Sequence, residues 1–261
     1  MTTNHATRLP LEGLGVLITR PRRQAERLAR TIEAAGGEAV VFPTIEIQPM
    51  DDDVALRALL ANLANYHVAI FVSANAVEEG MRYLSSMDKR PSTLRFAAIG
   101  DATRKALQNF GVDSVIAPVD RFDSEALLDL QEMRDVAGKR MIIFRGEGGR
   151  NVLAETLTNR GAMVDHAVCY KRIRPQQDIS LLRSRWQTGD IQAVSAMSLE
   201  SLTNLYDILD EPTRRLLAET PVFVPHPRIA AGGKKMGIAD VRVTGASDDD
   251  LIKELSKYHA G

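Results

Sequence analysis

Short, unbroken apolar runs alternate along this chain with longer stretches in which apolar residues return every three or four positions. Residues 15–19 (Gly-Val-Leu-Ile-Thr) read as a strand buried on both faces. Arg20-Pro21 ends it, with Pro21 suited to the first turn of a helix. Residues 24–35 then place Ala25, Leu28, Ala29 and Ile32 on one helical face, and Gly36-Gly37 stops the helix. The same reasoning predicts further strands at 39–42, 68–72, 95–99, 114–117, 140–144, 164–170, 193–196, 222–224 and 241–243. It predicts helices at 56–63, 76–84, 102–110, 124–134, 152–159, 179–187, 198–209, 229–236 and 247–258, with glycine stops at Gly111, Gly161 and Gly237. Residues 43–49 and 171–175 read as extended and proline-bounded, and residues 1–12 as a flexible leader. Strands alternating with helices predict the α/β class, with doubly wound parallel sheets and right-handed crossovers.

The pattern repeats. Val16-Leu17-Ile18-Thr19-Arg20, followed by Leu28, Gly36 and Val40, is echoed about 125 residues later by Met141-Ile142-Ile143-Phe144-Arg145, Leu153, Gly161 and Val164. Val68–Ser73 matches Ala193–Ser198, and Ala97–Gly100 matches Phe223–His226. The expectation is two flavodoxin-like domains related by duplication, with a ligand in the cleft between them.

Composition narrows the function. A length of 261 residues with 44% hydrophobic content suits two packed cores, and a net charge of -1 gives no global field for nucleic acid or an anionic membrane. Basic residues must therefore act locally on an anionic ligand. The single cysteine, Cys169, excludes an intramolecular disulfide and fits a reducing, cytoplasmic setting. The N-terminal residues carry no apolar stretch of signal-peptide type. The apolar runs fall far short of the roughly 20 residues that cross a bilayer.

In doubly wound sheets, ligands sit beyond the carboxyl ends of the strands. Here those ends are residues 20–23, 73–76, 100–103, 145–150, 195–198 and 225–228, each preceding a helix with free N–H groups. Arg20, Ser73, Asn75, Gly100, Thr103, Arg145, Gly146, Ser198, His226 and Arg228 are the candidate binding residues. Several have a plainer reading. Ser73 and Asn75 are also good helix caps, and a cap can touch a ligand too. Thr103 reads equally as an ordinary first-turn residue. Arg145-Gly146-Glu147-Gly148-Gly149-Arg150 resembles a phosphate loop but lacks the lysine and spacing of one. Arg22 and Arg23 read as solvated, and Cys169 as a packed core residue. His67 and His166 are isolated, with no partner at metal-ligand spacing; His226 is the one histidine given weight, and a structural role is favoured even there. Tyr170 closes an apolar strand where the chain turns basic, so its hydroxyl either enters the cleft or its ring anchors a linker.

Together these residues resemble uroporphyrinogen-III synthases. The matching pieces are Val16–Pro21, Phe42–Ile47, Ile70–Val77, Ala98–Thr103, Arg145-Gly146 with Gly161, Val168–Tyr170 and His226–Ala230, in order across residues 13 to about 257. The resemblance implies one discontinuous domain, 1–46 with 173–261, and an inserted domain, 47–172. It also implies that residues 44–49 and 171–175 run side by side as a two-stranded hinge. The implied chemistry is closure of the linear tetrapyrrole hydroxymethylbilane with inversion of the last ring and loss of water, a hydro-lyase reaction. Tyr170 matches the family's tyrosine proposed to assist departure of the hydroxyl, and its ordinary pKa of about 10 keeps it protonated at neutral pH. Ser73, Gly100 and Thr103 match ligand-facing turns. No metal or organic cofactor is implied, and the expected partners are the small-molecule substrate and, transiently, the enzyme that supplies it. A monomer is the default reading. Two departures stand out: Ile229 replaces a frequent hydroxyl residue, and Ser195–Ser198 is less apolar than its counterpart at Phe71.

Two other function classes remain open at this point. One is a non-catalytic two-domain module for a polyanion, since fold does not settle function. The other is a nucleotide-binding enzyme using residues 145–150, which lacks a recognisable acidic partner for a metal.

Overall fold

The computed structural model describes residues 9–85, 91–121, 123–149 and 151–261. Most of the leader read at 1–12, and Arg150 of the glycine-rich loop, lie outside the described residues. In chain order the elements are β1 (Gly15–Ile18), α1 (Arg22–Ala34), β2 (Glu38–Val41), β3 (Glu46–Pro49), α2 (Val54–Ala61), β4 (Val68–Phe71), α3 (Ala74–Ser85), β5 (Arg95–Ala98), α4 (Asp101–Asn109) and β6 (Val115–Ile116). They continue with α5 (Ser124–Leu128), α6 (Gln131–Arg134), β7 (Arg140–Gly146), α7 (Val152–Asn159), β8 (Met163–Ile173), α8 (Ser180–Gln187), β9 (Ala193–Ser195), α9 (Leu199–Ile208), α10 (Glu211–Glu219), β10 (Val222–Val224), α11 (Pro227–Lys235), β11 (Val241–Val243) and α12 (Asp248–Ala260). The fold is α/β with parallel sheets. Among the described residues no helix is long and apolar enough to cross a membrane.

The chain divides into two compact units, residues 1–46 with 173–261, and residues 47–172. The first unit holds a sheet of order β11-β10-β9-β1-β2 in which every neighbouring pair is parallel. All four residues of β1 are buried, so both faces must be covered. Val16 and Ile18 face a layer with Leu28, Ile32, Leu251 and Leu255 from α1 and α12. Leu17 faces Trp186, Leu205, Leu217 and Ile229 from the helices on the other side.

The second unit holds a sheet of order β3-β8-β7-β4-β5-β6. Its β4 residues alternate in the same way. Ala69 and Phe71 join a cluster with Leu60, Val77 and Leu107, while Val68 and Ile70 join one with Leu127, Met133 and Leu157. Read from β6, the second sheet runs β6-β5-β4-β7-β8. The strands matched by the sequence repeat, β1 with β7, β4 with β9 and β5 with β10, therefore take equivalent places in the two sheets. The chain leaves the first unit after Glu46 and returns after Arg172. At the first crossing β3 pairs onto β8 at the sheet edge.

The glycine stops read at 36, 111, 161 and 237 all have positive φ, between 74° and 90°, where a Cβ would be strained. Two helices differ from the sequence reading. The strand–helix alternation predicts no helix at 211–219, yet α10 forms there. Its signal was local: Asp210 caps Thr213, and a proline sits in the first turn. The single helix expected at 124–134 is broken into α5 and α6, with Leu130 extended at the break. The reason is distant in sequence. Arg160, at the end of α7, donates Nη1 to the carbonyls of Leu128 at 2.7 Å and Met133 at 2.9 Å, which satisfies groups the break would otherwise leave open. Leu127, Leu128 and Met133 can then all be buried.

Arg160→Met keeps the aliphatic stem and removes both donors. Chemical unfolding should show a loss of about 1.5–3 kcal/mol, in the range for hydrogen bonds from a charged group. An unchanged midpoint would mean that the break is held by the apolar contacts alone.

Candidate functional site

The second unit carries a cavity of about 320 Å³. Its wall takes residues from the ends of β4, β5, β7 and β8 and from the starts of α5 and α7, including Ser73, Ser124, Arg145, Gly146, His166, Tyr170 and Arg172. This follows from the topology: parallel strands end together, and the ends of β4, β5 and β7 are each followed by a helix start.

Tyr170 is 97% buried, and its hydroxyl lies 3.1 Å from Ser73 Oγ. Ser73 in turn accepts the backbone N–H of Ala76 at 3.0 Å, so the hydroxyl that caps α3 also touches the tyrosine. The register between β7 and β8 slips between Arg145 and Gly146: Arg145 faces Val168, but Gly146 faces Tyr170. Such a bulge re-aims the side chain beside it. The tyrosine ring comes to rest against the bare Cα of Gly146. A Cβ there would lie 2.6 Å from ring atoms Cε2 and Cζ and 3.1 Å from the hydroxyl. Glu147 N–H donates to Tyr170 O at 2.8 Å and closes the corner.

Arg145 is half-buried and lies against the glycine-rich loop. One Nη donates to Asn151 Oδ1 at 2.9 Å and the other to the carbonyl of Gly148. Gly148 and Gly149 both have positive φ, as the tight return toward α7 requires. Gly146, expected in the loop, is instead the last residue of β7. Gly100 is the extended N-cap residue of α4, and Thr103 lies in that helix's first turn, 5% exposed. Asn75 sits half-buried at the start of α3. Asn75, Gly100 and Thr103 are not among the residues that line the cavity.

In the first unit, Ser198 caps α9 through a box with Ser201, and the exposed His226 caps α11 by accepting the N–H of Arg228 at 3.2 Å. Arg228 is exposed. Arg20 is 7% exposed and pairs with Asp248 at 2.6 Å, in the first turn of α12. Its charge is thus already met inside the fold. Ile229, which stands where a hydroxyl was expected, is packed in the core at 6% exposure.

The sequence profile described as uroporphyrinogen-III synthase HemD matches residues 26–253. The chain is 32% identical to the uroporphyrinogen-III synthase of Escherichia coli K12 over 92% of its own length and 98% of that protein's. It is 33% identical to that of Salmonella typhimurium over the same shares. The chain belongs to the uroporphyrinogen-III synthase family. Its fold is shared by the Thermus thermophilus uroporphyrinogen III synthase, with a TM-score of 0.60 at 15% identity over 95% of this chain and 99% of the other. It is shared also by the Helicobacter pylori protein, with a TM-score of 0.57 at 13% identity over 95% and 98%.

Within this family member, four residues singled out from sequence share one cavity: Ser73, Arg145, Gly146 and Tyr170. His166, Arg172 and Ser124 also line it and were not weighed as site residues. The strand period carried no signal for His166, because the extra residue of β8 between Val168 and Tyr170 interrupts the alternation that would relate the two. Among the described residues no group of three or more His, Cys, Asp or Glu side chains is placed to hold a metal ion.

Cys169, next to Tyr170, is fully buried, and its Sγ lies 3.4 Å from Arg145 O. Burial above all pushes its thiol up to about 12, so almost no thiolate forms at pH 8. Iodoacetamide at pH 8 should leave the folded protein unmodified over an hour and label it fully in denaturant. Prompt labelling of the native protein would show that the Tyr170 corner opens readily.

Proposed function

We propose that this chain is an enzyme, a hydro-lyase that closes hydroxymethylbilane to uroporphyrinogen III. In this reading the hydroxyl of the hydroxymethyl group takes up a proton and leaves as water, its methylene stays on the first ring as an electrophilic azafulvene carbon, and the substituted carbon of the last pyrrole attacks that carbon. The spiro intermediate opens and recloses with that ring inverted. No external oxidant or group donor is consumed. The protein's work is to hold a flexible chain in a ring-like pose and to help the hydroxyl depart. Positioning of this kind supplies roughly 7–11 kcal/mol in favourable cases.

The observation that carries the reading is the tyrosine hydroxyl delivered to the cavity wall. Tyr170 O–H, braced by Ser73 and pressed on Gly146, is a proton donor at the wall of that cavity. We assign it the role of hydrogen-bonding and protonating the leaving hydroxyl. The N-termini of α3 and α4, with Ser73, Asn75, Gly100 and Thr103, supply N–H groups for substrate carboxylates. Arg145 and Gly146 add to this set; in the first unit, taken by itself, the corresponding strand ends carry Ser198, His226 and Arg228 as the candidates. Arg20, already paired with Asp248, contributes least. A cytoplasmic monomer that receives substrate from the enzyme making hydroxymethylbilane completes the reading.

The test generates hydroxymethylbilane in situ, adds the protein, oxidises the products and separates type I from type III porphyrin. Mostly type III is expected; only type I, the spontaneous product, from folded protein would overturn the reading. Tyr170→Phe should lower kcat on the order of 10²-fold while KM stays within about threefold. Equal losses in kcat and affinity would show that the hydroxyl only binds.

A further inference from the structure

The cavity around Tyr170 contains a group that the synthase chemistry above does not use. His166 lies on β8 and lines the cavity with Tyr170, Arg145, Ile143 and Leu153. Its Nδ1 is sealed from solvent and has no partner among the described residues. A histidine kept for the fold normally bonds its buried nitrogen, because a buried polar group without a partner costs stability. The ring is therefore not held by a polar bond at Nδ1, and its other nitrogen, Nε2, is the one a ligand can use. Burial first, and then the Arg145 guanidinium, hold its pKa below the usual histidine range, so it is neutral at neutral pH. A neutral ring with Nδ1 shut away is best served by carrying its proton on Nε2, as a donor.

The surroundings say what that donor meets. Among the described residues, the cavity wall carries the arginines 145 and 172, this imidazole and two serine hydroxyls, and no Asp or Glu. At about 320 Å³ it lies at the small end of ligand pockets, the size for one ring with its acid side chains rather than a whole tetrapyrrole.

We propose that His166 is a substrate-binding residue, donating from Nε2 to a carboxylate on the pyrrole ring seated in this cavity beside Arg145. The proposal rests on the synthase reading for the identity of the ligand. It makes His166 a residue that fixes which ring edge faces Tyr170, at a cost in stability when the cavity is empty.

Three proteins test it: wild type, His166→Leu and His166→Gln, whose amide nitrogen can stand where Nε2 stands. His166→Leu should raise KM by about tenfold or more with kcat within about twofold. His166→Gln should return KM to within about threefold of wild type. Melting of His166→Leu should be no lower than wild type, since the sealed nitrogen is gone. Unchanged KM in His166→Leu, or equal KM in the Leu and Gln variants, would overturn the proposal. A second arm needs no turnover. The His166 ring signals, assigned by their loss in His166→Gln, should shift on titration with a pyrrole bearing one acetate and one propionate. No shift at millimolar ligand would count against the site. Type III product with an unaltered His166→Leu KM would sink this inference alone. A His166 shift without any type III product would keep the carboxylate site and sink the synthase reading.

Discussion

The site depends on one missing methyl group. Gly146 has no Cβ, and the Tyr170 ring fills the space where one would be, with two ring carbons 2.6 Å from that position. The contact fixes the ring from below, while Ser73 Oγ fixes the hydroxyl at its tip. Two strands and a helix start, far apart in sequence, are needed to build this. β7 supplies the glycine, β8 supplies the tyrosine, and the turn after β4 supplies the serine. The bulge between Arg145 and Gly146 brings the two strand residues into register. Buried backbone and side chains thus hold a phenol at a cavity edge.

Around that corner the fold supplies the rest almost without side chains. In the second unit β4, β5 and β7 are each followed by a helix start, so backbone N–H groups lie at those strand ends. In the synthase reading, such N–H groups would let a chain with a net charge of -1 serve an anionic substrate. Arg145 clasps the glycine-rich loop, and Arg20 is neutralised by Asp248 inside the first unit.

Much of the fold was legible because its signals are local. The unbroken runs at Val16–Ile18 and Val68–Phe71 mean strands covered on both sides, and both are. The glycine stops follow from the left-handed conformation at a helix end. What escaped the reading was set at a distance. No local pattern around Asp129 reveals that Arg160 will take the carbonyls of a broken helix. α10 is the exception, since Asp210 and Pro212 announced it and were passed over. The site was legible in part. Strand-end logic pointed to Ser73, Arg145 and Gly146, whereas Tyr170 needed a family resemblance to give it weight over an ordinary anchor. His166 has no metal-ligand partner in the sequence, and the bulge between Val168 and Tyr170 hides from the strand period that both residues line one cavity. The contact between Gly146 and the ring was not legible at all, because it depends on a one-residue slip in strand register.

The central claim is that Gly146 and Tyr170 act as one unit. A double-mutant cycle on kcat for type III product, with Gly146→Ala, Tyr170→Phe and the double variant, tests it most directly. The account predicts strong non-additivity: the added methyl displaces the ring, so the double variant should be no worse than the poorer single variant. Multiplying losses in folded proteins would contradict it and show that the glycine and the phenol serve the reaction separately.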